Sequence, residues 1–233
     1  DLQREAERVI RRRLDLLERG RRRGERLQAA LVALDPASGQ VRALVGGRDF
    51  GSSPLDRAVR TRRQPGSAFK PFVYLVALDP ARRGAAPART VVSPLEDTPL
   101  AVRTGASVWR PENYDGTFAG TLPLEDALAG SRNAATVRLA LEVGLEAVAR
   151  AAADLGIRST LPLVPALALG VGETSLLQLT AAYGVFASGG VRRPPTLVVG
   201  VASANGELLY DAPDGAVRVL SPAVAYLVTH LLE

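Results

Sequence analysis

Ser67 and Lys70 stand three residues apart, and Lys70 is the only lysine in a chain whose other 28 basic residues are all arginine. Arginine keeps its proton near neutral pH, whereas a desolvated lysine can have its pKa lowered far enough to act as a base. Residues at i and i+3 of a helix share a face, so the Ser67 hydroxyl and the Lys70 amine are expected within hydrogen-bond reach, the arrangement that activates a serine as nucleophile. The serine also falls at the expected start of a helix, where free N–H groups and the positive end of the dipole can stabilise an oxyanion. Spacing alone fits as well a serine that caps a helix followed by a surface lysine, because Ser-x-x-Lys is short and common. A second hydroxyl and an amide come from Ser131-Arg132-Asn133, in a break between two expected helices. Ser-x-Asn is a weak pattern. Ser203-Ala204-Asn205 matches it and is explained by a hairpin turn, and Ser131 on its own also reads as a helix cap.

These groups must be held by the elements around them. Leu27 to Asp35, the turn Asp35-Pro36-Ala37-Ser38-Gly39 and Gln40 to Val45 read as a β-hairpin. After a polar loop, Pro65-Gly66 leads into the apolar run Ala68 to Leu78, which predicts a buried helix with Ser67 at its start. Pro71 lacks an N–H and disfavours helical geometry at Lys70, so a distorted first turn is expected. Residues 79–121, rich in proline and glycine, are expected to wrap the surface as loops. Three short helices follow, Leu124 to Ala129, Ala134 to Glu142 and Leu145 to Leu155, with Gly130, Gly144 and Gly156 as C-caps. A further helix, capped by Thr174 or Ser175, runs to Ala187 with Leu176, Leu179, Ala182, Tyr183 and Phe186 on one face. Val198 to Ala202 and Glu207 to Tyr210 predict a second hairpin around Asn205-Gly206, and a last helix starts from Ser221. This order predicts an α+β fold, with helices packed on an antiparallel sheet.

Composition narrows the function. At 233 residues, 47% of them hydrophobic, the chain can bury a substantial core. The net charge of +5 resides mostly in residues 1–26, which hold ten arginines against six acids and leave a nearly neutral body. That segment reads as an amphipathic surface helix followed by a basic linker from Gly20 to Glu25, with Glu7–Arg11, Asp15–Arg19 and Glu18–Arg22 as i,i+4 pairs. Contact of Arg21 to Arg26 with phosphate or anionic lipid is the other reading of the linker. Without aromatic residues there, a nucleic-acid partner is not expected. The absence of cysteine excludes disulfides and thiolate sites, and the lone His230 in an apolar terminal helix reads as a packed or half-exposed residue, so neither metal nor cofactor is expected. Gly170-Val171-Gly172 precedes a helix but lacks the rest of a phosphate-loop pattern. No apolar run reaches the roughly 18 to 20 residues that span a bilayer. With no methionine, the sequence is expected to belong to a longer polypeptide, with any anchor upstream.

Arg63-Gln64-Pro65-Gly66-Ser67-Ala68-Phe69-Lys70-Pro71-Phe72-Val73-Tyr74 resembles the active-site segment of class A penicillin-binding proteins, whose motif set is Ser-x-x-Lys, Ser-x-Asn and Lys-Thr-Gly. Leu31 to Gly47, Trp109-Arg110-Pro111-Glu112-Asn113-Tyr114-Asp115-Gly116, Leu124 to Val137, Ala166 to Gly170 and Leu176 to Gly190 resemble further segments in the same order, over about residues 27–232. The resemblance implies a penicillin-binding protein/β-lactamase-like transpeptidase fold over 27–233, incomplete at its C-terminus, behind a linker helix at 1–26. It implies that Ser67 attacks the penultimate D-alanine carbonyl of a peptidoglycan stem peptide. Lys70 would take the serine proton, Ser131 would relay a proton to the leaving amine, and Asn133 would bind the donor's backbone amide. A neighbouring stem peptide would accept the acyl group, β-lactams would be intercepted by the same serine, and a glycosyltransferase domain would lie upstream. The location implied is the periplasmic face of the cytoplasmic membrane. Lys-Thr-Gly cannot be present with a single lysine, so poor acylation by this length of chain is expected. A class A β-lactamase would need a Glu-x-x-Leu-Asn loop, and Glu173 is followed by Thr174-Ser175-Leu176-Leu177. A non-catalytic β-lactam sensor or scaffold is the remaining rival.

Overall fold

The computed structural model of the protein describes residues 1–19, 24 and 26–233. The expected basic linker, apart from Gly24, and the Glu18–Arg22 pair lie outside the described residues. The chain forms two compact units: Asp1–Arg63 with Thr174–Val219, and Gln64–Glu173 with Leu220–Glu233.

The first unit opens with α1 (Leu2–Glu18), followed by the antiparallel pair β1 (Leu31–Leu34) and β2 (Val41–Val45). Asp1 caps α1 by accepting the Gln3 N–H, and Ala6 with Ile10 packs on Ala43 and Val45. The Gln3 side chain accepts from the Leu44 N–H (2.8 Å) and donates to the Leu44 carbonyl (3.0 Å), which satisfies that residue on the edge of β2. Glu7 lies 3.8 Å from Arg11 as expected, whereas Asp15 and Glu18 both engage Arg48, which follows β2.

The second unit then supplies α2 (Lys70–Leu78), four short strands, β3 (Pro94–Asp97), β4 (Val102–Thr104), β5 (Ser107–Trp109) and β6 (Gly120–Pro123), and helices α3 (Leu124–Ala129), α4 (Asn133–Val143) and α5 (Leu145–Asp154). β3 pairs with β6 and β4 with β5, all antiparallel. The expectation of loops over 79–121 is thus corrected. Strands of three or four residues are too short to show alternation, and Gly105 (φ 62°) turns the β4–β5 hairpin in what reads as a flexible stretch.

The chain next returns to the first unit through α6 (Leu176–Ala187), β7 (Val191–Arg192), β8 (Gly200–Ala202), β9 (Leu208–Asp211) and β10 (Val217–Arg218). Ser175 caps α6 through the Gln178 N–H (3.2 Å), α6 packs on β1, and β8 pairs with β9 as the second hairpin. Finally α7 (Pro222–His230), capped by Ser221, rejoins the second unit and packs on α2. His230 lies 3.9 Å from Glu125 and stacks on Tyr226.

The core of the second unit surrounds α2. All nine of its residues are buried, and α4, α5 and α7 pack against it. A helix that is apolar on every side belongs in such a place. Its two polar side chains each have a partner: Tyr74 Oη lies 3.1 Å from Thr136 Oγ1 on α4, and Lys70 points to the site. Among the described residues no helix is long and apolar enough to cross a membrane.

Candidate active site

The first turn leading into α2 is distorted as expected, and more than expected: Gly66–Phe69 form a 3₁₀ helix and the α-helix begins only at Lys70. Pro71 has no N–H to reach the Ser67 carbonyl four residues back, so that carbonyl accepts the Lys70 N–H three residues on. Ser67 stands exposed in this turn while Lys70 is wholly buried. The Ala68 N–H, a candidate oxyanion donor, is engaged by the Pro65 carbonyl at 3.3 Å. Gly170 (φ 76°) seats the turn. A Cβ there would fall 2.2 Å from the Gly66 carbonyl oxygen, so only glycine lets the two backbones approach this closely.

Ser131 comes from the joint between α3 and α4. The Ser131 N–H donates to Leu128 and the Arg132 N–H to Ala127, the two bonds of a Schellman ending. Gly130 is the C-cap of α3, as expected, with φ −75°, and the left-handed position that follows it falls to Ser131 at φ 51°. A serine there carries about 1–2 kcal/mol of backbone strain that glycine would not. Ser131→Gly is therefore expected to leave thermal stability within about 1 kcal/mol of the wild type, read by denaturation, because relief of the strain is offset by loss of the Oγ hydrogen bond to buried Lys70, while acylation of Ser67 slows through loss of the hydroxyl.

The four candidate side chains meet. Lys70 Nζ donates to the Ser131 carbonyl (2.5 Å), to Ser131 Oγ (3.0 Å) and to Asn133 Oδ1 (2.7 Å), and Ser131 Oγ lies 3.1 Å from Ser67 Oγ. The expected direct hydrogen bond between Ser67 and Lys70 is absent among the described residues. The 3₁₀ turn rotates the serine away from its α-helical i,i+3 position, and Ser131 bridges the gap. Burial pushes the Lys70 amine down to about 8, with the Asp97 carboxylate opposing the shift. The line Ser67–Ser131–Lys70 opens into a cleft of about 430 Å³ that Tyr114, Asp115, Arg132 and Asn133 also line.

Asp97 and Asn113 were not singled out by chemistry. Asp97 is fully buried, and Asn113, inside the quoted Trp109 to Gly116 segment, accepts the Asn133 N–H at 2.6 Å. A lone acid in a short strand carries no motif that could announce it. Arg132 lies 3.0 Å from Asp115 and 3.8 Å from Asp97.

Comparison with solved structures defines the class of fold. The penicillin-binding protein PonA1 of Mycobacterium tuberculosis superposes with a TM-score of 0.81 at 30% identity, over 99% of this chain and 60% of that one. Penicillin-Binding Protein 1A from Haemophilus influenzae gives 0.80 at 27% identity, over 90% of this chain and 35% of that one. PonA1 has also been solved in complex with penicillin V. Among curated proteins, Penicillin-binding protein 1A of Neisseria meningitidis serogroup A is 38% identical over 216 residues, 89% of this chain and 26% of that protein. Residues 29–233 match the model of the penicillin binding protein transpeptidase domain, and the chain belongs to that family. It spans about a quarter of the length of the curated relatives it matches.

Proposed function

We propose that this chain carries the acyl-serine chemistry of a D,D-transpeptidase that cross-links peptidoglycan stem peptides. The observation that carries the reading is the hydrogen-bonded line from exposed Ser67 through Ser131 to buried Lys70, open to a cleft. In the acylation step Ser67 Oγ bonds to the penultimate D-alanine carbonyl carbon while its proton passes through Ser131 Oγ to the neutral Lys70 amine. The C–N bond to the terminal D-alanine then breaks, and that amine leaves with the proton returned by Lys70 and Ser131. An amine of a second stem peptide attacks the ester, forms the cross-link and restores the Ser67 hydroxyl. Asn133 contributes the amide beside the Lys70 amine, positioned to meet the donor's backbone. No cofactor enters these steps.

A β-lactam enters the first step in place of the stem peptide, in keeping with the penicillin V complex of PonA1. Asp115, the carboxylate lining the cleft, is held below its ordinary pKa by the Thr117 N–H and by Arg132, and makes a poor base for water. The relatives' names and length support a class A setting, with residues 27–233 as the transpeptidase domain behind a linker helix at 1–26, a glycosyltransferase domain upstream, and a location outside the cytoplasmic membrane. The test uses the intact polypeptide with a fluorescent penicillin, followed by digestion and mass spectrometry. A single stable adduct on the peptide bearing Ser67, absent from Ser67→Ala, is expected. An adduct elsewhere, or rapid turnover of a chromogenic cephalosporin, would overturn the reading.

A further inference from the structure

Beneath the cleft, a chain of amide contacts leads from a buried carboxylate to the Lys70 amine. Asp97, fully buried at the end of β3, accepts from Asn113 Nδ2 with both oxygens (2.9 and 3.0 Å) and from the Ala119 N–H (2.9 Å). With the Thr117 carbonyl also accepting from Nδ2 at 2.8 Å, the nitrogen end of the Asn113 amide is spent on that side. Its oxygen must then face α4, where it receives the Asn133 N–H (2.6 Å) and the Ala134 N–H (3.4 Å). This supplies the cap that α4 lacks from its own preceding residue, Arg132. The neighbouring Glu112 carbonyl accepts Asn133 Nδ2 at 2.7 Å, so Asn133 can only turn its oxygen to Lys70. Were the Asn113 amide reversed, two N–H groups would face the N–H groups of α4 and its oxygen would face a carboxylate.

We propose that Asp97 and Asn113 are positioning residues of the acylation site: the buried carboxylate fixes the Asn113 amide, and Asn113 with Glu112 fixes the Asn133 amide against Lys70. This rests on the acyl-serine reading above and adds to it the part of the molecule that holds the lysine's partners in place. It also assigns the buried charge a second effect, since a carboxylate near a desolvated amine favours the protonated form.

The other charges around α2 are paired or exposed. Arg132 lies 3.8 Å from Asp97 and pairs with Asp115 at 3.0 Å, and Tyr74 meets Thr136. On α4, Arg138 reaches Thr98 and Glu142 pairs with Arg89. On α5, Glu146 and Arg150 are exposed and Asp154 pairs with Arg82, while His230 of α7 lies near Glu125. The 3₁₀ turns at Gly66–Phe69 and Pro165–Leu169, which also adjoin α2, contain no charge.

The test measures the rate of penicillin acylation across the neutral and alkaline range in the intact polypeptide. Asp97→Asn is expected to acylate about a hundred-fold more slowly, through misplacement of the site. The midpoint of its pH profile should move below that of the wild type, because the charge that favours the ammonium is gone. Asn113→Asp should also be slow, with two carboxylates facing each other. The exchange Asp97→Asn with Asn113→Asp restores a donor opposite an acceptor between the two side chains but leaves a carboxylate oxygen facing the Thr117 carbonyl, so a partial recovery, above the slower single change, is expected. Should Asp97→Asn fail to fold, Asn113→Ser gives the same comparison: slow acylation with the Ser67 adduct retained. A folded Asp97→Asn or Asn113→Ser that acylates at the wild-type rate, an unmoved midpoint in Asp97→Asn, or a folded double variant no faster than the slower single would overturn the proposal. Failure of the wild type to label at Ser67 would instead remove the acyl-serine reading itself.

Discussion

Replacing Lys70 with arginine is expected to slow acylation by a penicillin by about a thousand-fold, within the range that a positioned general base contributes. Arginine keeps a positive charge in the same place but cannot release its proton, so the substitution separates charge from basicity. The pH profile carries the sharper information. Burial lowers the Lys70 amine from its ordinary range to about 8, so at neutral pH only a minor fraction is unprotonated. The form that accepts a proton grows as pH rises, and the wild-type rate should climb through a midpoint near 8 and then level off. Lys70→Arg should lose that climb. Its guanidinium is larger than the ammonium it replaces, so a melting curve must show that the variant is folded. A folded arginine variant that keeps the wild-type profile would mean that another group takes the proton.

The second large effect is expected from a residue outside the cleft lining. In Gly170→Ala the new methyl would meet the Gly66 oxygen at 2.2 Å, its nitrogen at 2.7 Å and its carbonyl carbon at 2.9 Å, all backbone atoms that no rotamer change can clear. The Gly66 peptide immediately precedes Ser67, so relief of the clash must move the nucleophile. A shift of about 1 Å costs on the order of a hundred-fold in rate, and overpacking together with the left-handed φ costs about 2–4 kcal/mol of stability. Gly144→Ala is the matched control. Its φ of 89° is equally unfavourable, but nothing lies within 4 Å of the added atom. It should lose stability and still label Ser67 at nearly the wild-type rate. Equal labelling by both variants would show that the Gly66–Gly170 contact does not position the serine.

The sequence made the helices and the chemical groups legible for physical reasons. The apolar run after Pro65-Gly66 can only be buried, α3 matches its expected bounds, and Ser175 and Ser221 cap the helices they were expected to start. A single lysine among 28 arginines marks Lys70 by residue type alone. What stayed hidden depends on contacts distant in sequence. The bridging place of Ser131 follows from a left-handed φ that residue type argues against, since Gly130 beside it is the usual occupant. Asp97 joins the network only because β3 pairs with β6 and brings it near Asn113, and strands this short give no periodic signal. Pro71 foreshadows the distorted turn at Ser67, but the consequence, that the serine reaches the lysine through a third residue, depends on a contact 64 residues away in sequence.

The return of the chain to cover α2 has a consequence for biosynthesis. α2 leaves the ribosome early, whereas α7, which packs on it, follows only after the long stretch between Leu78 and Pro222. At ordinary elongation rates that interval is on the order of ten seconds, far longer than hydrophobic collapse takes. During it a helix apolar on every side lacks one of its covers. A nascent chain stalled before residue 220 should therefore bind holdase chaperones and be cut readily by proteases near α2, and one in which α7 has emerged should show less of both at that helix.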